Sequence, residues 1–340
     1  MGALDLDAEF ASPDRRPLGA WPRAAPLTGG GAGAACSAMN YRHIYHAGNF
    51  ADVLKHAVLA RAIAYMARKA APFRVIDTHA GSGRYLLTAS EAAATGEWKQ
   101  GIARLIGQDA IPLPPGLAGF LDPYLKAVLA ENPTAQLERY PGSPRIALSL
   151  MRSSDRLIAN ELHPEARAQL KVAIGRDPRA KLMALDGFVA LKALLPPKER
   201  RGIVLIDPPF EAPGELERVA EGLRQGLERF ATGVFIAWYP IKDIKPINRF
   251  LADLAGLPAR LLRAEMLLAR PERGESLNGC GLIIANPPYT LEGELARFLP
   301  QLHRRLADAD AGGHRLVWIG NGAFQRNHHS DQKGRVRTSR

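Results

Sequence analysis

Cysteine is scarce: Cys36 and Cys280 are the two in 340 residues, and they stand far apart. That excludes a disulfide framework and a cysteine-built zinc site, and it fits a reducing cytoplasm. Long apolar runs are missing too. None approaches the ~20 residues that a membrane-spanning helix needs, so no membrane partner is expected. The start, MGALDLDAEF, lacks the basic-then-apolar pattern of a secretory leader. A G-x-G-x-x-G fingerprint is absent, which disfavours a nicotinamide dehydrogenase. His43, His46 and His56 share no ligand spacing with a carboxylate or cysteine, so no metal is expected. Acids are outnumbered: 34 Asp and Glu face 45 Lys and Arg, a formal net charge of +11. Such a surplus favours an anionic partner, nucleic acid above all, although solubility alone also accounts for it.

What is present is a globular composition, 46% apolar, between two atypical ends. Residues 1–38 are rich in Gly, Ala and Pro without a lasting period, and they read as disordered. Met39 follows directly and is a candidate true start. Residues 320–340 read as a flexible basic tail, with Arg326, Lys333, Arg335, Arg337 and Arg340 against Asp331. Between the ends (39–319) apolar strand-like runs alternate with helical patterns. FRVID (73–77), RLIAN (156–160), KLMALD (181–186), GIVLI (202–206) and GVFIAWY (233–239) are the strands. Residues 50–70 carry Val53, Leu54, Ala57, Val58, Ala62 and Met66 at helical spacing. The alternation predicts an α/β fold whose mostly parallel sheet is covered on both faces. ARLLRAEMLLA and GLIIAN, with no full helix between them, predict an antiparallel hairpin at the sheet edge. Residues ~87–140 break the alternation and read as an inserted helical subdomain.

In open α/β sheets, ligands sit beyond the carboxyl ends of the strands. After the first strand comes Asp77-Thr78-His79-Ala80-Gly81-Ser82-Gly83. An acid four residues before a G-x-G at a strand end fits an S-adenosylmethionine loop, although such a pair of glycines also makes an ordinary turn. The second strand ends at Asn160-Glu161, where a carboxylate can accept both hydroxyls of a ribose; a helix cap is the alternative. The third ends at Asp186-Gly187, an acceptor for an adenine amine or a plain Asp-Gly turn.

The fourth strand ends in Asp207-Pro208-Pro209-Phe210. Consecutive prolines cannot continue the ladder, so they hold the carboxylate and the Pro208 carbonyl in fixed directions. Two acceptors suit the two hydrogens of an amino group, and Phe210 offers a face for a base. That is the chemistry an aryl amine needs before it attacks a methyl sulfonium. Asn286-Pro287-Pro288-Tyr289 repeats the pattern in the edge hairpin. Its strand runs the other way, so Asn286 is expected to be structural.

With these residues placed, the sequence resembles the RlmJ family of 23S ribosomal RNA adenine-N6-methyltransferases from about Met39 to Ile319. The segments that carry the likeness include NYRHIYHAGNFADVLKH (40–56), IDTHAGSGRY (76–85), YPGSP (140–144), NELHP (160–164), LDGF (185–188), RRGIVLIDPPFE (200–211) and GLIIANPPY (281–289). The resemblance implies a Rossmann-like class I methyltransferase with a seven-stranded sheet. It implies S-adenosyl-L-methionine as cofactor, held by His56, His79, Ser143, Glu161, Asp186 and Gly187. It makes Asp207 catalytic and Tyr41 a neighbour of the substrate, beside Pro208 and Phe210. Phe210 departs from the family's usual tyrosine there. The implied substrate is 23S rRNA in protein-free or early-assembly form, and a monomer is expected. Guanine-N2 RNA methylation, DNA adenine methylation and glutamine methylation remain open to the same tetrapeptide, as does an inactive fold that only binds nucleic acid.

Overall fold

The computed structural model describes residues 42–134, 136–269, 277–308 and 312–320. The stretches read as a disordered extension and a basic tail lie outside them, apart from Gly320. Among the described residues the strands are β1 (Arg74–Asp77), β2 (Arg84–Leu86), β3 (Arg139–Pro141), β4 (Arg156–Asn160), β5 (Ala180–Met183), β6 (Gly202–Ile206), β7 (Val234–Ile241), β8 (Leu261–Leu267), β9 (Gly279–Ala285) and β10 (Gly313–Ile319). The helices are α1 (Phe50–Ala67), α2 (Ser90–Thr95), α3 (Ala103–Ile106), α4 (Pro115–Ala130), α5 (Ser143–Leu150), α6 (Pro164–Ile174), α7 (Gly187–Leu194), α8 (Glu215–Arg229), α9 (Ile244–Leu254) and α10 (Leu291–Leu306).

Eight strands form one sheet in the order β10-β8-β9-β7-β6-β1-β4-β5. β5, β4, β1, β6 and β7 run parallel. β9 is antiparallel to β7 and β8, as the sequence predicted for the edge hairpin. The fold is Rossmann-like, with one strand more than the seven expected: β10 pairs antiparallel with β8 at the edge. Its sequence, GHRLVWI, mixes polar and apolar residues, and only Leu316 and Trp318 pack against the main core, so it has no strong strand signal of its own.

Helices bury both faces, which is why every residue of β6 is buried. Apolar residues of α1, α4, α5, α6 and α10 fill one side, and those of α7, α8 and α9 the other. α1 starts where Asn49 accepts the N–H groups of Ala51 and Asp52, satisfying donors that a helix start leaves free. Its Leu54, Val58 and Leu59 are wholly buried, each side chain contributing about 1.5–3 kcal/mol by leaving water. Residues 87–138 depart from β2 and return at β3, and these two short strands pair as an antiparallel ribbon. The apolar side chains of α4 within that stretch join the core beneath α1.

The chain runs from β1 outward through β4 and β5, then returns to β6 on the other flank of β1. The reversal leaves a crevice at the carboxyl ends of β1, β4 and β6, where open α/β sheets hold ligands.

Candidate active site

The parallel register sets Asp77 opposite both Ala159 of β4 and Leu205 of β6, so the residues after these strands meet. Beyond β1 the chain turns at Gly81 and Gly83, with φ of +62° and +72°, a region open to glycine at little cost. The Gly81 N–H donates to Glu161 Oε2 at 2.8 Å, and Glu161 Oε1 accepts the His163 N–H at 2.7 Å. The acid after β4 is thus fixed against the turn after β1. Each carboxylate oxygen keeps a lone pair free for another donor. After β5, Asp186 Oδ1 caps α7 by accepting from Phe188 and Val189, and Oδ2 pairs with Arg218 at 2.9 Å. Gly187 packs on His79 so closely that an added Cβ would lie 2.3 Å from His79 Nε2. The donor set suits a nucleoside: an acid beside a glycine turn for a diol, and a second acid one strand further out for an amine.

Asp207 follows β6 directly. Its Oδ2 accepts from Lys55 Nζ at 2.5 Å, and the same ammonium lies 2.9 Å from Asp52 Oδ1. Asp52 Oδ2 in turn meets the Gly48 N–H and His43 Nε2, each at 2.9 Å. The Lys55 side chain is only 5% exposed, with Nζ 5.8 Å from the centre of the Trp238 ring. Phe210 stands edge-on to that indole with ring centres 5.4 Å apart. Its φ is +53°; the buried carboxylate of Glu215 approaches the backbone of Phe210 and Glu211, with Oε1 3.7 Å from Arg218 and Oε2 without a hydrogen-bond partner among the described residues.

Burial works against the charge of Lys55, but Asp207 and Asp52 outweigh it and hold the ammonium well above the usual lysine range. Burial likewise opposes ionisation of Asp52, and His43 and Lys55 overcome it, keeping this carboxyl well below the usual range. Asp77 makes no ion pair among the described residues, and Lys55 acts on it only weakly. Burial pushes this carboxyl up to about 7, aided by the charge of Asp207 and opposed by the Ser143 hydroxyl, which donates to Asp77 Oδ2 at 2.6 Å. Burial lowers His79 to about 4, while Asp207 and Asp186 pull it up. The Thr78 N–H donates to the Leu205 carbonyl at 3.1 Å, so the glycine turn and Asp207 leave adjacent parallel strands at one end of the sheet.

A sequence profile of the family described as "Ribosomal RNA large subunit methyltransferase D, RlmJ" matches residues 70–320. The chain belongs to this family. It is similar to the "Ribosomal RNA large subunit methyltransferase J" of Escherichia coli (strain K12), 41% identical over 282 residues, covering 83% of this chain and 99% of that protein. The protein of the same name from Haemophilus influenzae is 38% identical over 283 residues, covering 83% and 99%. The crystal structure of protein LPL1258 from Legionella pneumophila superposes with a TM-score of 0.73 at 31% identity, covering 81% of this chain and 98% of that one. The resemblance read from the sequence is borne out.

Within this RlmJ-family chain, His79, Glu161, Asp186 and Gly187 gather at the strand ends, and Ser143 joins them through Asp77. His56 stands apart. It is 2% exposed and buried behind Lys55, with Nδ1 2.7 Å from the Tyr140 hydroxyl. Pro208 is buried, and Phe210 is half-buried and packed against the α7–α9 side of the core. Tyr41 lies outside the described residues. Asn286 follows β9 at the opposite end of the sheet, donating its side-chain amide to the carbonyls of Ala231 and Gly233 at 2.8 and 2.9 Å. Lys55, Asp52 and Trp238 escaped the sequence reading. The signal for the first two was there: an acid and a lysine three apart on the apolar face of α1, where each charge needs a partner.

Proposed function

We propose that this chain transfers the methyl group of S-adenosyl-L-methionine to the N6 amino group of an adenine in 23S ribosomal RNA. The observation that carries the reading is the Asp207 carboxylate, which follows β6 beside the glycine turn after β1 and is held by Lys55 through one oxygen. The family supplies ribosomal RNA methylation as the general activity. The finer assignment rests on the chemistry of Asp207-Pro208-Pro209-Phe210.

Glu161 and Asp186 would accept the ribose hydroxyls and adenine amine of the cofactor, with Gly187 and His79 closing the wall and Ser143 holding Asp77. His56 would support that wall from behind, through Tyr140. The bound cofactor supplies an electrophilic methyl on a cationic sulfur. An aryl amine attacks poorly because its lone pair is delocalised into the ring. Asp207 Oδ1 and the Pro208 carbonyl can accept its two hydrogens, turning the nitrogen toward tetrahedral geometry and freeing the pair. Holding the amine in line is then most of the task. The carboxylate also stabilises the positive charge that grows on nitrogen, and Asp207 or solvent takes the released proton. Phe210 would stack on a base that has left its helix to enter the site, with Tyr41 closing over it.

The test is transfer of labelled methyl to protein-free large-subunit rRNA, with the product nucleoside identified by mass spectrometry. N6-methyladenosine is expected. N2-methylguanosine, or methylation of DNA in preference to RNA, would overturn the assigned target, and failure to bind S-adenosylmethionine would overturn the enzymatic reading itself.

A further inference from the structure

Two adjoining cavities lie at the end of the sheet opposite Asp207. One, of about 600 Å³, is walled by Arg260, Trp318, Phe298, Arg297 and the Pro287–Thr290 turn. The other, of about 770 Å³, is walled by Tyr65, Arg68, Lys69, Arg200 and Arg201. Tyr289 lines both and is 84% exposed on the ridge between them. This tyrosine ends the second N-P-P-Y segment, whose turn is pinned by the hydrogen bonds of Asn286. The catalytic chemistry makes no use of that segment.

Cations outnumber acids here, six to two, with Glu292 and Glu294 the carboxylates in the lining. Among the described residues no acid forms an ion pair with Arg68, Lys69, Arg200, Arg201, Arg260 or Arg297. The carboxylates on the rim are already engaged: Glu292 accepts from Trp318 Nε1 at 2.7 Å, and Glu294 holds Arg61. Arg201 is tied to the carbonyls of Met66 and Ala71 at the end of α1. The other five cations are exposed. The Arg260 guanidinium lies 4.5 Å over the Trp318 ring, and that of Arg68 lies 5.5 Å over Tyr65. Cations that track a backbone, interleaved with aromatic faces on which bases stack, are the composition of a single-stranded nucleic-acid surface. Protein interfaces share the enrichment in Arg and aromatics; exposed cations without acidic partners, on a chain of net charge +11, favour the polyanion.

We propose that this groove is a second RNA-binding surface, gripping phosphates of the substrate away from the target adenine while an unpaired base stacks on Tyr289. The proposal rests on the reading that the substrate is RNA. The five residues of β6 separate Arg201 from Asp207, six steps of extended chain, so the groove lies roughly 20 Å from the catalytic carboxylate. An RNA must be long enough to reach both.

The experiment compares full-length protein with a quadruple variant (Arg68→Gln, Lys69→Gln, Arg200→Gln, Arg260→Gln) and with Tyr289→Ala. Two RNAs are used: protein-free large-subunit rRNA, and a short oligonucleotide around the methylated adenine. Direct RNA binding is measured alongside methyl transfer. On the long RNA the quadruple variant should bind at least tenfold more weakly, and its log–log salt slope should flatten by about 3, since each lost single-strand phosphate contact removes about 0.7. Tyr289→Ala should weaken long-RNA binding about tenfold. Cofactor affinity and turnover on the short RNA should not change. Unchanged long-RNA affinity overturns the proposal. So does equal weakening on both RNAs, which would place the effect in the fold. Loss of binding to a ribosomal protein in place of RNA would also overturn it. If wild-type protein binds RNA through the groove but methylates none, the proposed function fails and the groove stands.

Discussion

Lys55 is a cation inside the apolar face of α1, and it stays charged only because Asp52 and Asp207 flank it. Removing it leaves two carboxylates facing each other with little water. Lys55→Met should therefore cost about 3 kcal/mol of stability, read as a lower denaturation midpoint, and Asp52→Asn added to it should restore part of the loss. No recovery in the double variant would mean that the lysine acts by packing alone. Asp207→Asn keeps the shape and one acceptor oxygen but not the charge. A fall in kcat of about 100-fold is expected, in the range for losing one stabilising group at a developing charge, with cofactor affinity nearly unchanged. Near-normal turnover would move catalysis elsewhere. Two buried groups set opposite pH trends. Burial lowers His56 to about 3, so the unfolded chain takes up that proton first as pH falls below 6.5, and stability is lost. Asp77, at about 7 when folded, binds its proton before the unfolded chain does, so its contribution grows as pH falls from 7 toward 4. The two partly cancel in the wild type. Asp77→Asn should then lose stability more steeply than wild type between pH 7 and 5, an added loss on the order of 2 kcal/mol in urea titrations. Parallel pH profiles would show that Asp77 does not titrate there.

Among the elements, the turn after β6 depends on a helix that comes later in the chain. Phe210 has a left-handed φ that favours glycine, and Glu215 at the start of α8 approaches its backbone. We predict that Glu215 is a positioning residue for the turn that carries Asp207 and Phe210. Glu215→Ala should lower kcat about tenfold through misplacement and leave cofactor affinity intact, while Glu215→Gln, which keeps an acceptor oxygen, should restore it. A failed rescue would assign the loss to α8 folding. Such dependence marks where the sequence was readable. GIVLI followed by Asp207-Pro208-Pro209 is legible because strand and turn chemistry are local, and β8 and β9 are legible for the same reason. β10 was not, because its pattern is mixed and its pairing with β8 is a tertiary choice. Lys55 was not matched to Asp207 because 152 residues separate them, and nothing local names a partner at that distance. Asp186 shows another limit. The acid expected at the end of β5 is there, yet it also caps α7 and pairs with Arg218, so its residue type alone did not separate a cap from a ligand contact.

For the whole molecule, the surplus of +11 is the property that a polyanion meets first. Its effect on binding differs between the two ligands proposed. RNA releases counterions wherever Lys or Arg neutralises a phosphate, so its affinity falls with a power of the salt concentration set by the number of contacts. S-adenosylmethionine, which in the proposed site would be held by a few hydrogen bonds and two carboxylates, carries no such atmosphere. Six phosphate contacts would weaken RNA binding roughly 10³-fold between 50 and 200 mM salt, while cofactor affinity should change severalfold at most. Titrating both ligands on the same preparation separates an electrostatic surface from a general loss of structure, because unfolding by salt would reduce the two together. An RNA affinity as flat as that of the cofactor would mean that the basic surplus serves solubility and that recognition comes from base contacts at the Asp207 crevice.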